Sequence, residues 1–218
     1  MDHQVATEQH APRLQRENRD GRVARGERTR WAVIDAHAGL LREGVLRPTA
    51  KLIAERADIS LRTLWLNFGD MEALMAATGQ YWLDRDAENW DPVPTDLPLA
   101  ERIDRWCAQR AHRMEDLSPA AASALLVEPF SPSLTAARRE HRARLHQDLV
   151  ATFGAEIGTG SDSAEASPLH LSLFVAADGI TWLVLRRNEG LSYDRAAGLM
   201  RHTFTRLLAH QAGRRGGR

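Results

Sequence analysis

The chain has almost no cysteine. Cys107 is the single thiol in 218 residues, which rules out an internal disulfide and a metal site built of cysteines alone. Net charge is also lacking: 29 basic side chains balance 29 acidic ones, so bulk positive charge cannot coat nucleic acid. A local basic patch is still allowed, and residues 1–70 carry 12 basic against 10 acidic side chains, a tilt too slight to decide anything. No apolar run is long enough to cross a bilayer. The most apolar stretch, Leu173–Leu185, is short and interrupted by Asp178 and Thr181. Residues 1–30 are polar and rich in arginine, unlike a secretory leader. A cytoplasmic protein is the expectation.

Signs of catalysis are missing as well. No Gly-rich phosphate loop or nucleophile elbow is present, and Cys107 and His112 stand five residues apart, off a common helical face. His141 and His146 are also five apart, unlike the i, i+4 pair that holds zinc on a helix. The chain reads as a non-enzyme with no cofactor and no metal.

What is present is helical periodicity. Residues 1–26 hold few large apolar side chains and an arginine about every third position, from Arg13 to Arg25, which predicts a flexible basic arm. Such an arm is either a solvated leader or a DNA-tracking segment, and Glu17 and Asp20 weaken the second option. From Glu27 onward Trp31, Ile34, Ala38, Leu41 and Val45 form one stripe at spacings of three and four, and Gly44 marks its end. A short helix is predicted behind Pro48, starting near Thr49, and a second after the break Asp58-Ile59-Ser60. Asp70 is placed to cap a long helix carrying Met71, Leu74, Met75, Thr78 and Trp82. Pro92, Pro94 and Pro98 then exclude helix. Further helices are predicted at 98–116, 119–127, 132–154, 167–189 and 193–211, with Ser118-Pro119, Ser131-Pro132 and Ser167-Pro168 as their caps and 158–163 as a loop. No run alternates with a strand period. The expected fold is all-α, with an N-terminal three-helix domain and a larger C-terminal helical domain, about nine helices in total.

Residues 49–68 hold two short amphipathic helices joined by about three residues, which need the stripe on 27–43 as support. Such a unit can place its second helix in a major groove. Arg62 suits a bidentate contact to guanine, and Thr49, Lys51, Thr63, Trp65 and Asn67 suit phosphate contacts. Asp58 tolerates the backbone of a tight turn, and Ser60 caps the second helix. By spacing alone the segment is equally a helical hairpin in a bundle. The pattern Thr49-x-x-x-Ile53-Ala54-x-x-Ala57-x-Ile59-Ser60-x-x-Thr63-Leu64-Trp65-x-Asn67-Phe68-x-x-x-Glu72-x-Leu74, however, resembles the signature of the TetR family of bacterial regulators. The chain departs from that signature at Asp58, Trp65, Asn67 and Met71, where the family carries glycine, tyrosine, histidine and lysine.

The resemblance implies a dimeric helix-turn-helix regulator of double-stranded DNA, a repressor by default, touching its operator through Thr49, Lys51, Ser60, Leu61, Arg62, Thr63, Trp65 and Asn67. Trp65 and Asn67 keep a donor for phosphate, whereas Met71 offers none. It implies a division into an arm at 1–26, a DNA-binding domain at 27–72, and an effector-binding and dimerisation domain at 73–218. A two-fold interface is expected on the last two long helices, with Phe174, Ile180, Leu183, Phe204 and Leu208 as candidates; a deeply buried monomer helix reads the same. Candidate pocket walls are Tyr81, Trp82, Trp106, Arg110, Met114, Phe130, His141, Phe174, Asp178 and Trp182, which suggest a small hydrophobic or aromatic effector unless they are plain core. The alternatives are a DNA binder of the same fold with no effector, or a helical protein-interaction module.

Overall fold

The computed structural model describes residues 10–158 and 167–215, with side chains described over 23–158 and 167–209. Among them there are nine α-helices and no strand. The chain divides into two compact units, one ending at Thr78 and the other starting at Gly79, inside the helix that begins at Met71. The sequence puts the division at 72/73, within that same helix.

The first unit opens with α1 (His10–Arg42). Residues 10–26, expected as an arm, are helical: Arg13, Arg16, Arg19, Arg22 and Arg25 are good helix formers, and Pro12 sits in the first turn, where the missing N–H does no harm. Residues 1–9 of that arm lie outside the described residues. Gly44 (φ +88°) ends α1 as expected, its N–H bonding Leu41 O at 3.0 Å while Val45 N–H bonds Leu40 O at 3.0 Å. Trp31 leaves the predicted stripe and is 58% exposed; Val33, Ile34, His37, Ala38, Leu40 and Leu41 form the buried face instead.

Two short helices, α2 (Ala50–Arg56) and α3 (Leu61–Phe68), pack on α1 and on each other. Thr49 caps α2 by accepting from Leu52 N–H at 3.2 Å, and Ser60 caps α3 by accepting from Thr63 N–H at 3.0 Å. Between them Asp58 has φ +52° and occupies the left-handed position that glycine usually fills after a helix. Asp58 N–H bonds Glu55 O and Ile59 N–H bonds Ala54 O, which closes the turn. Ile53, Ala54, Leu64 and Phe68 are buried. Arg30 ties α1 to the end of α3: its NH1 donates to Asn67 O at 2.9 Å and its guanidinium lies 4.3 Å from the Phe68 ring centre. Asp70 then caps α4 (Met71–Glu88) by accepting from Ala73 N–H at 2.8 Å.

The second unit contains the rest of α4, α5 (Leu99–Val127), a 3-10 turn at Glu128–Phe130, α6 (Pro132–Ile157), α7 (Pro168–Ala177), α8 (Gly179–Leu183), a π turn at Val184–Asn188, and α9 (Tyr193–Arg215). Helix α5 packs on α8 and α9, and α7 packs on α6 and α9. At the centre Trp106 stacks on Phe204 with centroids 4.9 Å apart, and Phe153 meets both edge-on. Two expectations are corrected here. Ser118-Pro119 does not start a helix; α5 continues through Pro119, carried by the run of alanines and leucines that follows and by burial of Ala122. Residues 167–189 are not one helix either. Asp178 adopts an extended backbone (φ −70°, ψ 144°) and caps α8, accepting from Ile180 N–H at 2.9 Å. Ser131 and Ser167 cap α6 and α7 as expected. Gly158, in left-handed conformation, ends α6, and the rest of the 158–163 loop lies outside the described residues.

Candidate functional site

Helix α3 presents one face to its own unit and the other to solvent. Leu64 and Phe68 point inward; Leu61, Arg62 and Leu66 point out, with Trp65 at the edge. Arg62 lies in the first turn of α3 and has no hydrogen bond or ion pair with any described residue. Lys51 is exposed and only loosely paired, 3.9 Å from Glu55. Several other expected contacts are engaged locally. The Ser60 and Thr63 hydroxyls bond each other at 2.8 Å, Thr49 serves as the α2 cap, and the Asn67 side-chain amide donates to Thr63 O at 2.8 Å. One Asn67 amide N–H is thus engaged, and the NH2 group keeps a second donor.

Sequence reasoning missed two residues of this surface. Leu66 is 73% exposed, an unusual place for a leucine. Counting from buried Leu64 would have found it, since two residues on a helix turn the side chain about 200° away. Arg47, in the link between α1 and α2, is exposed and unpaired among the described residues. Its position directly before Pro48 and the Thr49 cap was the available signal.

In the first unit a neutral contact holds α1 to the start of α4: His37 Nδ1 lies 2.9 Å from Thr78 Oγ1, and burial lowers the His37 pKa to about 4.

The second unit buries a network of charges. Arg113 grips Asp86 with Nε–Oδ1 at 2.7 Å and NH2–Oδ2 at 2.8 Å, and its plane lies 4.7 Å from the Trp90 ring centre. Burial alone pushes the Asp86 pKa up, but hydrogen bonds from His141 and Arg113 outweigh it and hold the carboxyl far below the usual range. His141 Nδ1 faces Asp86 Oδ2 at 3.5 Å, and burial lowers its pKa despite that partner. With Nδ1–H directed at Asp86, His141 Nε2 is left as an acceptor for Arg110 NH2 at 3.3 Å. Arg110 Nε donates to Ala177 O at 3.0 Å. Burial lowers the Arg110 pKa to about 10, so the group stays charged at neutral pH.

The expected pocket walls thus separate. Trp106, Arg110, Met114, Phe174 and Trp182 are buried in the second unit, His141 and Asp178 border them, and Tyr81 packs edge-on against buried Trp82. Trp182 already donates to Glu115 at 2.9 Å, and Phe174 stacks on His146 with centroids 4.1 Å apart. Phe130 is excluded as a wall: it is 85% exposed, because the turn Glu128–Phe130 projects it away from the core.

The residues expected at a two-fold interface also divide. Phe174, Leu183, Phe204 and Leu208 are buried in their own unit, since the break at Asp178 sets the register of the helices around it. Ile180 is exposed, and with it Leu171, Val175, Val184 and Leu199. Several of these line an apolar groove of about 560 Å³ along α7 and α9, together with Leu185 and Leu207.

No family model matches the chain, and no curated protein matches it. Among solved structures, it resembles a TetR-family transcriptional regulator from Streptomyces coelicolor, with a TM-score of 0.69 at 18% identity over 86% of this chain and 83% of that one. It also resembles a transcriptional regulator from Rhodococcus sp. Rha1, with a TM-score of 0.64 at 17% identity over 85% of this chain and 96% of that one. No single helix among the described residues is long and apolar enough to cross a membrane. The chain therefore has the all-helical fold of a TetR-family transcriptional regulator.

Proposed function

We propose that the chain is a TetR-type regulator of transcription, acting as a homodimer on a pseudo-palindromic operator, repressing by occupancy, and released by a small molecule held in its second unit. The observation that carries this reading is the α2–α3 unit: a capped, tightly turned pair whose second helix exposes an unpaired arginine in its first turn. A major groove just admits such a helix, and its N-terminal side chains meet base edges.

In this reading Arg62 donates two hydrogen bonds to a guanine. Leu61 and Leu66 pack on thymine methyl groups, for which exposed leucines are suited. Lys51, Arg47, Trp65 and the Thr49 backbone region hold phosphates. The apolar face of α7 to α9 pairs with a second copy, which sets two reading heads about 34–36 Å apart on successive half-sites. Leaving Leu171, Val175 and Leu199 in water is otherwise unfavourable.

Selection of bound sites from a random duplex pool, at two salt concentrations, tests this. An enriched inverted repeat is expected, and Arg62→Ala is expected to flatten one base preference per half-site while Lys51→Ala weakens all duplexes about equally. No enrichment at either salt would leave the chain a helical module that works elsewhere.

A further inference from the structure

Arg110 is 1% exposed, yet its guanidinium lacks a counterion. Its Nε and NH2 reach Ala177 O and His141 Nε2, both neutral, and NH1 has no acceptor among the described residues. The acids near enough to act on it are already engaged: Asp86 and Asp148 bind Arg113, and Asp178 caps α8 and lies 3.6 Å from Arg142. A second donor repeats the pattern. Trp106, one helical turn earlier on the same face of α5, is fully buried, and its indole N–H has no acceptor either. Buried donors without partners are rare in folded proteins, and an unpaired buried cation is rarer still.

We propose that Arg110 is the anchor for the carboxylate of a small organic acid, whose apolar body lies among the core side chains beside it. A carboxylate supplies what both donors lack, two acceptor oxygens and a negative charge, and with Nε taken by Ala177 O the guanidinium receives it end-on, through NH1 and the second N–H of NH2. Water would satisfy the N–H groups but not the charge. The surroundings suit an apolar body: Met114 follows Arg110 by one turn of α5, and Gly179 has no side chain where an added Cβ would lie 3.6 Å from the Met114 sulfur. Methionine repacks readily around such a guest. His141 and Asp148, each partly exposed, mark the polar edge of the site.

The inference takes the second unit to be the effector-binding body of the proposed regulator, but its test needs no DNA. Purified full-length protein is titrated by calorimetry with benzoate, phenylacetate and octanoate, with their primary amides, and with chloride and phosphate. At least one acid is expected to bind at least about tenfold more tightly than its amide. Arg110→Met is expected to abolish that preference. Without ligand its melting temperature should be unchanged or raised, because an uncompensated buried charge has been removed. A purely structural Arg110 would lower it, and Arg110→Gln, which keeps a donor, provides a second folded variant. Equal binding of acid and amide, binding of inorganic anions alone, or no binding of any of the three acids would overturn the proposal. Acid binding by a protein that selects no operator would overturn the regulator reading and leave this one standing.

Discussion

Removing Arg113 should destabilise the second unit by an amount that depends on pH in a calculable way. Arg113 and Asp86 are 3% and 1% exposed at their side chains and are joined by two short hydrogen bonds. Arg113→Met leaves the Asp86 carboxylate buried with His141 as its remaining partner, and breaking such a pair costs roughly 3–5 kcal/mol. The carboxyl has one escape, which is to take up a proton. Its ordinary pKa is 3.8, so staying neutral at pH 7 costs about 4 kcal/mol at 1.36 kcal/mol per unit, and at pH 5 less than about 2 kcal/mol. In the native protein the Asp86 pKa is depressed, so its contribution is fully present above 3.8 and is lost only below that value. In the variant the pKa is raised, the folded state binds the extra proton, and the penalty must shrink as pH falls from 7.5 to 5. Urea titrations followed by tryptophan fluorescence, to which buried Trp106 and Trp182 contribute, give both numbers. Adding Asp86→Asn to Arg113→Met should recover about half of the loss at pH 7.5. A penalty below about 1 kcal/mol at pH 7.5, or one that does not change down to pH 5, would refute the account of this pair.

Acid should also loosen the first unit through His37, whose pKa falls from 6.5 to about 4 on burial. The unfolded chain binds the extra proton below 6.5, so stability drops by about 2.5 kcal/mol between pH 7.5 and 4.5, and His37→Asn should remove most of that slope in denaturant titrations at the two pH values. Met71→Lys should add one phosphate contact, making the slope of log affinity against log salt steeper by about one; an unchanged slope in fluorescence anisotropy would take that position off the DNA. Val175→Glu places a charge in the proposed two-fold face at a residue 60% exposed in one copy, and should weaken the dimer at least about a hundredfold by sedimentation velocity while leaving the helical circular-dichroism spectrum intact.

The first unit was legible because its signals are local. Thr49, Ser60 and Asp70 cap helices within three residues of themselves, Gly44 and Asp58 take the left-handed turns, and Leu64 and Phe68 show which side is inward. The second unit hid its register. Leu169–Leu185 is apolar on nearly every side, so no polar face marks which leucines point to the core, and the break at Asp178 shifts the count midway. Pro119 misled because a proline after serine reads as a helix start, whereas tertiary packing carried α5 past it. Arg102 and Arg113 hid in a different way: arginines are read as solvated, yet here they share the buried arc of α5 with Ile103, Trp106, Arg110 and Met114.

The way this protein treats arginines it keeps for structure bears on the one it treats differently. Arg56 is bound end-on by Glu43 and Arg102 by Glu156, while Arg113 is bound side-on by Asp86 and Arg186 by Glu115, each through two hydrogen bonds to one carboxylate. Two of those four are nearly as buried as Arg110, so burial by itself does not prevent the fold from supplying an acid. The buried arginines Arg102 and Arg113 therefore come with their carboxylates, and a site that buries the cation while engaging the nearby acids elsewhere has the form of half an ion pair. The missing half must bring both charge and a small volume, because Ala177 and His141 already occupy the Nε and NH2 sides of the guanidinium. That requirement favours an organic acid over a protein partner, and it separates the proposed site chemically from α3, where the unpaired Arg62 is exposed to solvent and open to a charged surface.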